Sequence, residues 1–243
     1  MILLKAIGDT VELALVVASL YFAMRLYVRR AQPAWAEPLD RRRVALLWLL
    51  TLGAVAVKLT EDVLGGESGP IDKGILLFLH AQVPSALTGF LEAVTLSASA
   101  VVLTPLTIAV TVALVIAKRR FEATLLAGSV MGGAALVYAV KASIGRERPM
   151  LWDAQWYWGS SFPSGHTLVV AAFAAANALI LGRLCPAVRL SALVLALMWV
   201  VLVAFSRLIL GVHWPTDVLA AACVGAAIPL GLQFVLDSRS RRV

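Results

Sequence analysis

The chain has 243 residues, of which 61% are hydrophobic and only 14% charged, and it carries a net charge of +7. A soluble domain is about 45–50% apolar and about 25% charged, so these proportions exclude an ordinary water-soluble globule. The excess apolar residues come in long blocks and read as a polytopic, all-α membrane bundle, because helices satisfy every backbone group inside lipid.

About 20 apolar residues cross a bilayer core. The pattern predicts spans near 11–28, 44–64, 96–117, 121–141, 166–183, 188–206 and 217–236. The runs are apolar on all faces, unlike the short alternating strands of a membrane barrel. The first span follows Asp9 and Glu12 rather than a basic segment, precedes Arg25, Arg29 and Arg30, and shows no small-residue cleavage site. It reads as a retained span rather than a signal peptide. Lys58, Glu61 and Asp62 crowd the end of the second span. Gly65, Gly66 and Pro70 break the chain after it, and the apolar run 75–79 is too short to cross. One short helix lying in the interface is expected there. The chain then divides into an N-terminal span with a basic loop at 1–43, a core at 44–236 and a basic tail at 237–243.

Basic residues mark the cytoplasmic side of a span. With the N-terminus outside, the inside segments hold Arg25, Arg29, Arg30, Arg41, Arg42 and Arg43, then Lys118, Arg119 and Arg120, then Arg183 and Arg189, then Arg239, Arg241 and Arg242. That is fourteen of the 21 Lys and Arg residues. The positive charge therefore reads as topology and not as a nucleic-acid surface. Cys185 lies in a short connection and Cys223 in a span, so no disulfide framework is indicated.

Three polar clusters interrupt the apolar pattern: Lys141 with Arg148 and Pro149, then Pro163-Ser164-Gly165-His166, then Ser206-Arg207 with His213 and Asp217. The orientation above puts all three at outside ends of spans, where they can meet. Ionisable groups at membrane depth are costly and mark function. Arg148 and Arg207 offer guanidinium forks suited to phosphate oxygens, and Lys141 offers a compact charge. Alone, each would read as a residue snorkelling at a helix end. Ser164 and Gly165 open a span, where free N–H groups and the helix dipole favour an anion, although Ser-Gly by itself is only a helix cap. His166 can give a proton to a leaving oxygen. Pro215 suits a first helical turn, which puts Asp217 within reach of the His213 ring. A carboxylate on one ring nitrogen fixes the tautomer and leaves the other to attack. A metal site is the competing use of two histidines and an aspartate, but three nearby cations oppose it. His80 reads as a satisfied polar residue.

The patterns K-x6-R-P, P-S-G-H and S-R-x5-H-x3-D resemble those of the type 2 phosphatidic acid phosphatase family, which shares its site with vanadium haloperoxidases. The resemblance covers roughly 72–236 and implies a six-helix core. It implies His213 as nucleophile through a phosphohistidine, Asp217 as its orienting group and His166 as general acid. It implies that Lys141, Arg148, Ser164, Gly165 and Arg207 hold the phosphoryl group, with no metal or other cofactor. The span at 11–28 lies outside that core. The expected function is a membrane lipid phosphatase at the outer face of the inner membrane, with a lipid phosphate or pyrophosphate as substrate. Undecaprenyl pyrophosphate, phosphatidylglycerophosphate, phosphatidic acid and lipid A 1-phosphate are all candidates, the first favoured by family prevalence. Lipid-to-lipid phosphotransfer, a haloperoxidase using bound vanadate and a non-catalytic transporter are the other readings. Trp152, Trp156, Tyr157 and Trp158 in the loop 150–162 suit the headgroup layer, either guiding lipid sideways into the site or anchoring helix ends.

Overall fold

The computed structural model describes residues 2–31, 42–152 and 159–239. Arg41, Arg241, Arg242 and the aromatic trio Trp156, Tyr157 and Trp158 lie outside the described residues. Nine α-helices and no strands occur among those that are described: α1 Ile2–Ala31, α2 Arg43–Leu64, α3 Gly69–Gln82, α4 Thr88–Ser97, α5 Ala100–Ile116, α6 Arg120–Ile144, α7 Gly165–Leu184, α8 Arg189–Ile209 and α9 Pro215–Arg239. Six of them, α1, α2, α6, α7, α8 and α9, are long and apolar enough to cross a membrane.

Two expectations change between α2 and α6. The single interfacial helix is a bent pair, with 94° between Gly69–Gln82 and Ser85–Ser97. Pro84 is the reason: it disfavours the helical region for the residue before it, and Val83 is extended at φ −95°, ψ 118°. The span expected at 96–117 is split as well. Leu96 and Ser97 finish α4, and a turn at 98–99 precedes α5. The Ser97 hydroxyl donates to the Val94 carbonyl and accepts from Trp199 Nε1 at 2.9 Å, which ties this break to α8. The 17 residues of α5 reach about 26 Å at the usual helical rise.

Helix α7 is the centre of the bundle and packs against α6, α8 and α9. Its buried face includes Ala171, Ala172, Ala174, Ala176 and Ala178, and small residues let helix backbones approach closely. Gly225 of α9 uses that space. A Cβ there would run into the Leu168 carbonyl oxygen and come within 2.7 Å of Ala171 Cβ. α9 also packs on α2 and α6, whereas α1 packs on α2 at the edge.

Charge separates the two ends of the bundle. At one end Arg183 of α7 pairs with Glu122 of α6 at 3.3 Å and Asp237 of α9 at 3.4 Å, and Arg42 reaches Asp237 at 2.9 Å. This is the end where the basic inside loops were expected. At the opposite end α6 stops, α7 and α9 start and α8 finishes, so the three clusters converge there.

Candidate active site

The site begins where α6 ends. Gly145 sits in the left-handed region at φ 64° and terminates the helix, a conformation only glycine adopts at no cost. The chain reverses there and carries Arg146 and Arg148 back across the bundle end. Lys141 Nζ donates to the Ser160 carbonyl. Arg148 donates to the same carbonyl at 3.4 Å and to the Val212 carbonyl at 2.8 Å. Both cations are thus fixed against the segment before α7, and Arg148 also against the segment before α9.

Ser164 caps the start of α7 by position and is fully buried. Its backbone N–H donates to the Asp217 carbonyl at 3.2 Å, and its hydroxyl accepts from Thr167 at 3.0 Å. The preceding Phe162–Pro163 peptide is cis. Gly165 opens the helix, with Val137 packed beside it. His166 is the next residue and lies within electrostatic reach of Arg207, His213, Lys141 and Arg148. Arg207 ends α8 with 1% of its surface exposed. Ser206 beside it is anchored to Thr95 of α4 at 2.6 Å.

His213 and Asp217 are both buried. His213 Nδ1 lies 3.4 Å from Asp217 Oδ2, and that oxygen also accepts the Trp214 backbone N–H at 2.8 Å. The four-residue spacing across Pro215 and the first turn of α9 sets this contact, as the sequence suggested. Burial pushes the His213 imidazole down to about 4; Arg207 and Arg148 push the same way, and Asp217 opposes them. The ring is therefore neutral at pH 7. Asp217 fixes Nδ1, which leaves Nε2 as the nitrogen able to attack an electrophile.

All eight residues picked from the sequence, Lys141, Arg148, Ser164, Gly165, His166, Arg207, His213 and Asp217, meet at one end of the bundle. Four others were missed. Arg146 Nη1 donates to Asp217 Oδ1 at 2.6 Å and to Thr216 Oγ1 at 2.8 Å, while its Nη2 donates to Asp72 Oδ2 at 2.7 Å and Ser68 Oγ at 3.1 Å. Asp72 also accepts the Thr216 N–H at 3.0 Å and hydroxyl at 2.7 Å. Arg146 was legible as a cation without a role two residues before Arg148. Asp72, in the first turn of α3, looks in sequence like any helix-start acid. His80 is exposed and stacks on Trp152 at 4.0 Å. Among the described residues, no group of three or more His, Cys, Asp or Glu side chains is arranged to hold a metal ion.

Fold and site define a multi-pass helical membrane protein with a cation-lined histidine–aspartate centre at one end. Residues 122–237, which contain all three clusters, match the family model of the PAP2 superfamily. Phosphatidylglycerophosphatase B of Escherichia coli K12 is 40% identical over 70 residues, covering 29% of this chain and 26% of that protein. The Shigella flexneri protein of the same name matches to the same extent. The aligned stretch thus spans about a quarter of these relatives' length. Among solved structures, the transmembrane PAP2 type phosphatidylglycerolphosphate phosphatase from Bacillus subtilis superposes with a TM-score of 0.70 at 22% identity, covering 80% of this chain and 96% of that one. LpxE from Aquifex aeolicus superposes with a TM-score of 0.54 at 22% identity, covering 65% and 92%. At that identity the two structures speak for the fold.

Proposed function

We propose that this protein is a membrane lipid phosphatase that hydrolyses a lipid phosphate or pyrophosphate through a phosphohistidine on His213. The observation that carries this reading is the buried His213–Asp217 pair, set among Lys141, Arg148 and Arg207 within a PAP2 superfamily segment. Nε2 of neutral His213 attacks phosphorus, and the phosphorus–oxygen bond to the lipid breaks. His166 gives its proton to the departing oxygen. A water then attacks phosphorus, its proton passing to His166, and the phosphorus–nitrogen bond breaks, which releases phosphate and restores both rings. Lys141, Arg148 and Arg207, with the N–H groups at the start of α7, balance the charge that builds on the transferring oxygens. That work would otherwise fall to a metal ion.

The basic inside loops support an inner-membrane setting with the site facing outside. The relatives' names make phosphatidylglycerophosphate the first substrate to test, ahead of undecaprenyl pyrophosphate, phosphatidic acid and lipid A 1-phosphate. The experiment is phosphate release from this panel by the purified protein in detergent. Release from at least one lipid phosphate, lost in His213→Ala, is expected. No release from any of them would overturn the reading.

A further inference from the structure

Around Asp217 lies a second polar layer made by Ser68, Asp72, Arg146 and Thr216, none of which is a specified position of the three patterns. Asp72 of α3 and Asp217 of α9 face each other across one guanidinium. Arg146 pairs with Asp72 at 2.7 Å and with Asp217 at 2.6 Å, and the two carboxylates are 1% and 0% exposed. Thr216 closes the triangle, donating its hydroxyl and its N–H to Asp72 while accepting from Arg146. Ser68, at the N-terminal cap of α3, accepts the remaining bond. Arg146 also lies over the Trp214 ring at 5.5 Å.

We infer that Asp72 and Arg146 are positioning residues that set the nucleophile through Asp217, forming a chain Asp72–Arg146–Asp217–His213. The reasoning rests on the proposed role of His213. A carboxylate has two oxygens and can turn about its last bond. Arg146 occupies Oδ1 and the Trp214 N–H occupies Oδ2, so Asp217 cannot turn, and the oxygen that meets His213 Nδ1 is fixed. Charge matters as much as geometry. Phosphorylated His213 is cationic at the ring and needs the negative charge of Asp217. A guanidinium against Asp217 alone would neutralise it. Asp72 takes up that positive charge, so the layer as a whole leaves a net negative charge facing the imidazole. Half-satisfied buried ion pairs are strongly destabilising, which explains why the layer is closed with a bond at every donor position of Arg146 Nη1 and Nη2 described above.

The layer also ties α3, which lies beside the spans, to the first turn of α9. The nucleophile is therefore fully set only when α3 is seated.

The test compares Asp72→Asn, Asp217→Asn and the double variant, with kcat and KM measured on the best substrate of the panel and Ki measured for inorganic phosphate. Asp72→Asn keeps the shape but removes the balancing charge. It should lower kcat about tenfold to a hundredfold, the usual cost of an outer-layer partner, with KM and the phosphate Ki unchanged. In the Asp217→Asn background it should add little, because both changes act on one path. Thr216→Val, which leaves no bare charge, should lower kcat in smaller measure and guards against misfolding of Asp72→Asn. The inference is overturned if either Asp72→Asn or Thr216→Val keeps wild-type kcat, if the loss falls on KM, or if the full loss recurs in the Asp217→Asn background. Absence of turnover in the wild-type protein on every lipid phosphate would instead overturn the phosphatase reading itself.

Discussion

Replacing Gly225 with alanine tests the packing that brings together two helices bearing proposed catalytic residues. Gly225 sits in α9 two turns after Asp217, against α7 just after His166. The added methyl would meet the Leu168 carbonyl oxygen, Ala171 Cβ at 2.7 Å and Ala172 N at 3.2 Å. Two of these are backbone atoms that cannot rotate away, so the helices must separate. Overpacking of this kind costs about 1–3 kcal/mol. Because the obstacle is backbone, the upper half of that range applies. Alanine in a helix returns about 1 kcal/mol relative to glycine. The net loss is about 1–2 kcal/mol, or about 2–8 °C in Tm at roughly 2–4 °C per kcal/mol for a chain of this length. Turnover should fall too, since separating α7 from α9 moves His166 away from His213 and Asp217. Gly132→Ala is the control: its methyl would meet only Ile228 Cγ2 at an ordinary 3.9 Å, so Tm should hold or rise. Thermal unfolding in detergent, read beside phosphate release, measures both. A Gly225→Ala protein as stable and active as wild type would refute the helix packing described above.

Three further outcomes are expected. Cysteine at Met150, which is 87% exposed at the site end, should react with an impermeant thiol reagent on intact cells, whereas native Cys185 at the basic end should react only after permeabilisation; the reverse pattern would invert the topology. The folded His213 ring titrates near about 4, whereas an unfolded one titrates near about 6.5. The unfolded chain binds the extra proton between those values, so stability is complete above about pH 6.5 and is lost as pH falls towards about 4, at up to about 1.4 kcal/mol per pH unit. Unfolding curves across that window should slope for wild type and flatten in His213→Asn; equal slopes would contradict the buried neutral ring. Hydrolysis should survive EDTA, because Lys141, Arg148 and Arg207 supply the charge balance in the proposed mechanism. Complete loss restored by zinc would refute that.

What the sequence revealed and what it hid follow from the range of the forces. Span positions were legible because lipid demands about 20 apolar residues in a row. Lys141, Arg148, Arg207, His213 and Asp217 stood out because charge and imidazole are rare in such runs. The position of Asp217 was readable because the His213 contact is local, four residues along one turn. Asp72 was not, because its partners Arg146 and Thr216 lie 74 and 144 residues away, and nothing in a single sequence encodes that pairing. The break at 98–99 was missed for a related reason: apolarity continues through it, and the signal is Ser97, whose partner Trp199 sits on another helix.

The most direct test of the central claim is to trap the protein during turnover of a substrate carrying radiolabelled phosphate and to locate the label. The chemistry proposed for His213 predicts label bound to the protein, stable in alkali and lost in mild acid as a phosphoramidate is, mapping to the peptide that contains His213 and absent from His213→Ala. Phosphate released at the wild-type rate by His213→Ala, or label carried by another residue, would contradict it.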